Sequence, residues 1–122
     1  MSDFISAVAD ATQAMRELFP ETPLQQNAFL SQKYGARIFL KREDLSPVRS
    51  YKIRGAFNFI RKRLAEGLDG PFVCASAGNH AQGLAFVCKH FDKQGVIFMP
   101  VTTPQQKIDK TRAFGGDNVE IR

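Results

Sequence analysis

From Ser50 to the end of the chain, apolar positions at helical spacing alternate with short apolar runs, and this alternation restricts the fold more than any other feature. Ile53, Ala56, Phe57, Ile60 and Leu64 fall on one face of a helix that Gly67 ends. Phe72 to Ala75 (FVCA) is short and wholly apolar, the pattern of a strand covered on both faces. Asn79, with Gln82 three residues on, predicts a capping box opening a helix that stripes Ala81, Leu84, Ala85 and Cys88. Val96 to Met99 (VIFM) predicts the next strand. Thr103, Pro104 and Gln106 then supply an N-cap, a first-position proline and a third-position amide for a helix that Gly115 and Gly116 close. Asn118 to Ile121 predicts a last strand. Parallel strands joined by helices cross over right-handedly, so the expected fold is α/β, a small open parallel sheet with helices on both faces.

Upstream, Phe4, Ile5, Val8, Ala11, Thr12, Met15, Leu18 and Phe19 predict an amphipathic helix that Pro20 stops. A second helical stretch around Gln25 to Lys33 ends at Gly35, and Arg37 to Lys41 reads as a strand. The 122 residues, 43% of them apolar, suffice for a core of their own. The net charge of +5 comes from scattered bases with no recognised nucleic-acid motif, so no nucleic-acid partner is expected. Cys74 and Cys88 lie within apolar stretches and cannot make a disulfide framework, which predicts a reduced, cytoplasmic setting. The opening MSDFISAVAD has neither a basic flank nor a long apolar run, so neither a signal peptide nor a membrane span is expected there.

Ligands of open parallel sheets bind beyond the carboxyl ends of the strands, where helix amino ends point. Ser76 to Gly83 (SAGNHAQG) lies there. Small residues at Ser76, Ala77 and Gly78 let an anion approach the main chain, and the amides of the helix opening at Asn79 favour negative charge. The plainer alternative is a capped turn in which Ser76 and Asn79 satisfy local amides. His80 reads as a packing or hydrogen-bonding residue, and with only His90 elsewhere no metal site is expected. Lys52, beyond a Ser50 cap and between Arg49 and Arg54, is a candidate nucleophile, partly buried at the amino end of its helix. The alternative is one more solvated lysine.

SYKIRGA (Ser50 to Ala56) followed by SAGNHAQG resembles the paired signature of the threonine/serine dehydratases, members of the tryptophan-synthase-β fold type of pyridoxal-phosphate enzymes. TPLQ (Thr22 to Gln25), KREDLSPV (Lys41 to Val48) and FGGDNV (Phe114 to Val119) resemble the same family in order and spacing. The resemblance implies that Lys52 forms the internal Schiff base with pyridoxal 5′-phosphate and moves the substrate α-proton. It implies that Asn79 bonds the cofactor's 3′ oxygen, and that Tyr51 lies against the cofactor ring where the family often has Phe. Ser76, Ala77, Gly78, Asn79 and His80 would hold the substrate carboxylate through their amides. The implied reaction converts L-threonine, with L-serine second, to a 2-oxo acid and ammonia. Serine racemase shares both motifs and stays open as an alternative, as does a non-catalytic segment that binds an amino acid or anion.

The resemblance further implies that residues 1–48 belong to a larger cofactor domain and residues 49–122 to a small α/β domain. The helix at Asp3 to Phe19 and the strand at Arg37 to Lys41 would then pack on the larger domain. The family's glycine-rich phosphate loop lies downstream of both motifs. The chain is therefore expected to correspond to the opening part of such an enzyme, to be inactive by itself, and to form a homo-oligomer at full length.

Overall fold

The computed structural model describes residues 2–122. Helix α1 (Ser2–Ala14) runs into a 3-10 turn at Met15–Glu17. The apolar stripe of α1 is spent unevenly: Phe4 and Ile5 are exposed, whereas Met15 and, beyond the turn, Phe19 join the main core. Strand β1 (Leu24–Gln26) pairs antiparallel with β2 (Phe39–Lys41), and α2 (Ala28–Tyr34) connects them. The second helix thus begins later than its sequence suggests. Gln25 and Gln26 are held in the ladder opposite Leu40 and Phe39, and Asn27 caps α2 by accepting a 2.8 Å hydrogen bond from the Leu30 amide. Gly35 ends α2 as expected, in the left-handed region at φ +61°.

The rest of the chain follows the expected alternation: α3 (Lys52–Ala65), β3 (Phe72–Ala75), α4 (Asn79–His90), β4 (Gly95–Phe98), α5 (Gln105–Gly115) and β5 (Val119–Ile121). The three strands form a parallel sheet in the order β3-β4-β5, with Phe72 opposite Gly95 and Gly95 opposite Val119. The α/β class and the open parallel sheet are those expected.

The placement of the helices differs in one respect: among the described residues they cover one face of the sheet. Phe72, Cys74, Gly95, Ile97, Val119 and Ile121 point inward, whereas Val73, Ala75, Phe98 and Glu120 are exposed. Val73, in the strand expected to be dry on both sides, is 60% exposed. The cause is the strand order. Each strand pairs with the next along the chain, so two right-handed crossovers wind the same way and deliver α4 and α5 to one side. Helix α3 packs beside α4, which is buried from Ala81 through Ala85 and again at Val87 and Cys88. Burial pushes the Cys88 thiol up to about 12, with Cys74 nearby adding to it, and burial also raises Cys74. Both cysteines are free, and no described helix is long and apolar enough to cross a membrane.

The expected side-chain caps do not form. Helices α3, α4 and α5 start from Tyr51, Gly78 and Pro104, none with a capping side chain. Ser50 lies before the cap position, and its amide and carbonyl are both engaged by Ser46 Oγ, at 3.0 and 2.9 Å. Gln82 is drawn into the packed side of α4 and cannot reach back to close a box with Asn79. The Thr103 amide is used by the Pro100 carbonyl in a turn. Ser50 Oγ, Gln82 Oε1 and Thr103 Oγ1 are left buried without a hydrogen-bond partner.

Candidate functional site

Strands β3, β4 and β5 end at the edge from which α4 and α5 begin, and α3 packed along α4 brings Lys52 against the opening turns of that helix. Gly83 is what allows the approach. A Cβ there would lie 3.1 Å from the Ile53 nitrogen and 3.2 Å from the Lys52 carbonyl carbon, so any larger residue would require the backbone at the start of α3 to give way. The main chain of Lys52 is therefore packed directly on the SAGNHAQG helix.

The Lys52 side chain is the first of α3 and is exposed, not partly buried, because it faces the edge where no described element covers it. Its Nζ stands 5.1 Å from the centroid of the Tyr51 ring, and Tyr51 is itself 59% exposed. Across from it, the Ser76 amide donates to the Phe98 carbonyl at 3.0 Å, which ties the loop to β4. Ser76 Oγ accepts from the Gly78 amide at 3.2 Å and closes a small turn. Ser76, Ala77 and Gly78 are half-buried, while Asn79 and His80 are exposed on the first turn of α4. The site is open toward solvent.

The candidate site combines helix amides that no side chain caps with a lysine whose main chain packs on the same helix. The first amides of an α-helix have no partner within the helix, and at α4 no side chain supplies one. Gln82 Oε1 and Ser50 Oγ add two buried, unpartnered polar atoms beside this loop and Lys52. The unpartnered amides and the Ser50 hydroxyl fit an anionic group such as a carboxylate, whereas Gln82 Oε1 only accepts and fits a donor instead.

One part of the surroundings has no simple signature in the sequence. Glu43, in a 3-10 turn at Glu43–Leu45, accepts from Arg54 Nε at 2.8 Å and Arg54 Nη2 at 2.9 Å, and from Thr22 Oγ1 at 2.6 Å. The Arg54 hydrogen bond, followed by that from Thr22 and the charges of Arg54 and Lys41, holds the Glu43 carboxyl below the usual carboxylate range against the cost of its desolvation. A depressed folded value stabilises the fold above the unfolded carboxylate value and loses that contribution as pH falls through the folded one. The stability gap between wild type and Glu43→Gln, measured by urea unfolding, is therefore expected to be full near neutrality. It should narrow as pH falls below about 4. A gap that stays constant down to acid unfolding would contradict this.

The profile of the pyridoxal-phosphate dependent enzymes matches residues 15–122. The L-threonine dehydratase biosynthetic IlvA of Halalkalibacterium halodurans is 48% identical over 117 residues, covering 96% of this chain and 28% of that protein. The protein of the same name from Staphylococcus epidermidis is 50% identical over 114 residues, covering 93% of this chain and 27% of its own length. Among solved structures, the processed form of threonine deaminase isoform 2 from Solanum lycopersicum superposes with a TM-score of 0.84 at 38% identity, covering 99% of this chain and 33% of that one. Maize serine racemase superposes at 0.85 with 26% identity, covering 96% and 35%. The chain spans less than a third of the length of these curated relatives.

Proposed function

Because the chain belongs to the pyridoxal-phosphate dependent enzymes, we propose that it is the part of a threonine dehydratase that contributes the cofactor lysine, Lys52, and the substrate-carboxylate loop, Ser76 to His80. The observation that supports this reading is the packing of the Lys52 main chain on Gly83 of α4, the helix whose amino end carries no capping side chain. L-threonine is the proposed substrate and L-serine the second. The biosynthetic role named for the relatives at 48% identity supports the same assignment here. A cytoplasmic, homo-oligomeric full-length enzyme, with residues 1–48 contributing to its larger domain and 49–122 forming the small one, belongs to the same proposal.

In this reading the loop Ser76 to His80 would bind the substrate carboxylate through the amides of Ala77, Asn79 and His80, and would so fix the Cα–H bond toward Lys52. The Ser76 and Gly78 amides are engaged by the Phe98 carbonyl and Ser76 Oγ and shape the loop. The Lys52 amine would hold the cofactor covalently and, when free, would accept the substrate α-proton. Asn79 would hold the cofactor's 3′ oxygen with its side-chain amide, and Tyr51 would lie against its ring. The cofactor, when bound, supplies the electron sink that makes an α-proton removable near neutral pH. The β-hydroxyl would leave with a proton as water, and one water added at the carbon bearing nitrogen would then release ammonia and give the 2-oxo acid. Serine racemase chemistry is the second reading, favoured by the 0.85 superposition, and would appear as D-serine formed from L-serine.

The test is chemical. The chain is incubated with pyridoxal phosphate, reduced with borohydride and mapped by peptide mass spectrometry. Lys52 is expected to carry the pyridoxyl group about tenfold more than Lys62, an exposed lysine of the same helix. Lys52→Ala should abolish that preferred label without changing the others. Equal labelling of all lysines would overturn the assignment of Lys52.

A further inference from the structure

We propose that Glu43, Arg54 and Thr22 act together as positioning residues for Lys52, clasping the first turn of α3 so that the amine is held at the mouth of the Ser76 loop. The inference rests on the reading of Lys52 given above. Helix α3 has no capping side chain at Tyr51, and the hydroxyl of Ser50 is buried without a partner; the local tie, Ser46 Oγ on the Ser50 amide and carbonyl, lies before the first turn and not within it. The chain enters through a bent turn in which Arg49 takes a left-handed φ of +58° and donates its amide to the Ser46 carbonyl at 2.9 Å. An uncapped first turn frays more readily than a capped one, so a grip within that turn matters.

Arg54 is that grip. It is the third residue of α3, and its planar guanidinium meets the Glu43 carboxylate in a two-point fork at 2.8 and 2.9 Å. The same Nη2 reaches Thr22 Oγ1 at 3.1 Å, and the guanidinium lies 5.1 Å from the centroid of the Phe19 ring. The pair is shielded, with side-chain exposures of 31% for Arg54 and 19% for Glu43, so solvent weakens it less than a surface pair. Glu43 and Thr22 are anchored in turn. Thr22 is buried behind the buried Phe19, its carbonyl accepts from Lys41 Nζ, and the Arg42 amide, one residue before Glu43, donates to the Pro23 carbonyl at 2.9 Å.

Lys52 is thus caught from two directions. On one side Gly83 of α4 touches its main chain; on the other the clasp fixes the residue two positions later in the same turn. Neither Glu43 nor Arg54 is required to touch cofactor or substrate for this to matter. An amine displaced by a fraction of an ångström loses reactivity toward an aldehyde docked on the loop.

The whole chain and its variants are labelled with pyridoxal phosphate and borohydride, and the ratio of pyridoxyl at Lys52 to that at Lys62 is read by mass mapping. Glu43→Gln and Arg54→Met are expected to lower this ratio about tenfold, with Thr22→Val lowering it about twofold and Arg54→Lys recovering part of the loss. Label at Lys62, far-UV circular dichroism and cooperative melting should be retained, a combination that general loosening of the fold does not produce. Arg63→Met, which breaks the exposed Arg63–Glu66 pair at the other end of α3, should leave the ratio unchanged. If Glu43→Gln or Arg54→Met does not fold, Thr22→Val and Arg54→Lys decide. Folded variants that keep the wild-type ratio overturn the clasp while leaving Lys52 as the cofactor lysine. A wild-type chain with no preference for Lys52 overturns both.

Discussion

Phe57→Ala is expected to lower the stability of the chain by about 3–5 kcal/mol, since deleting a fully buried phenyl group removes both its transfer free energy and its packing partners. Phe57 has no exposed surface, stacks on Phe91 at a centroid distance of 5.4 Å and an interplanar angle of 18°, and meets the His90 ring at 6.1 Å. It lies on the α3–α4 seam, where Ile53, Ala56 and Ile60 are also buried. The hole left behind would be lined by helices tied to different parts of the chain and would close poorly. A domain of this size has a total stability on the order of 5–15 kcal/mol, so the variant should show a large drop in urea midpoint. Phe57→Leu, which keeps most of the volume, should cost roughly 1–1.5 kcal/mol. A cost below about 1 kcal/mol for the alanine variant would show that the seam is not where the fold is held.

Gly115→Ala is expected to cost about 2–3 kcal/mol for the opposite reason, too much matter rather than too little. A Cβ at Gly115 would fall 2.3 Å from Val119 Cγ2 and 2.8 Å from Cγ1, and Val119 is branched at the carbon that would have to turn. Gly115 ends α5 and is buried, and Val119 begins β5, so relief requires β5 to move along or away from β4. Trimming the obstacle should help: Gly115→Ala combined with Val119→Ala is expected to be more stable than the sum of the single costs predicts. The coupling, about 1 kcal/mol or more by a double-mutant cycle, separates a steric effect from a change in helix propensity. Strict additivity would remove the steric explanation.

The elements that sequence reasoning located are those whose signal is local. The spacing of Ile53, Phe57 and Ile60, the runs at Phe72 and Val96, and the glycines at 35, 67 and 116 each carry their own periodicity or backbone requirement. β1 was not legible because Leu24, Gln25 and Gln26 have no strand pattern of their own and extend only because Lys41, Leu40 and Phe39 lie opposite. The capping side chains were misread because Ser50, Gln82 and Thr103 have suitable chemistry at suitable spacing, yet packing carries each of them inward. FVCA suggested two covered faces because an apolar run records hydrophobicity and not which side the crossovers will occupy. Of the proposed site, Lys52 and Ser76 to His80 stand out in the sequence as residue types in the order of the family's two motifs. The Glu43–Arg54–Thr22 group was not, since its members stand 11 and 32 residues apart and no period connects them.

The order β3-β4-β5 also bears on how quickly such a chain can reach its folded state. Each strand finds its partner across a single helix, little more than twenty residues away, so no pairing waits for a distant part of the polypeptide and the closure entropy of each step stays small. Residues 72–121 can add one helix and one strand at a time as they emerge during synthesis, each new strand docking on an edge that is already formed.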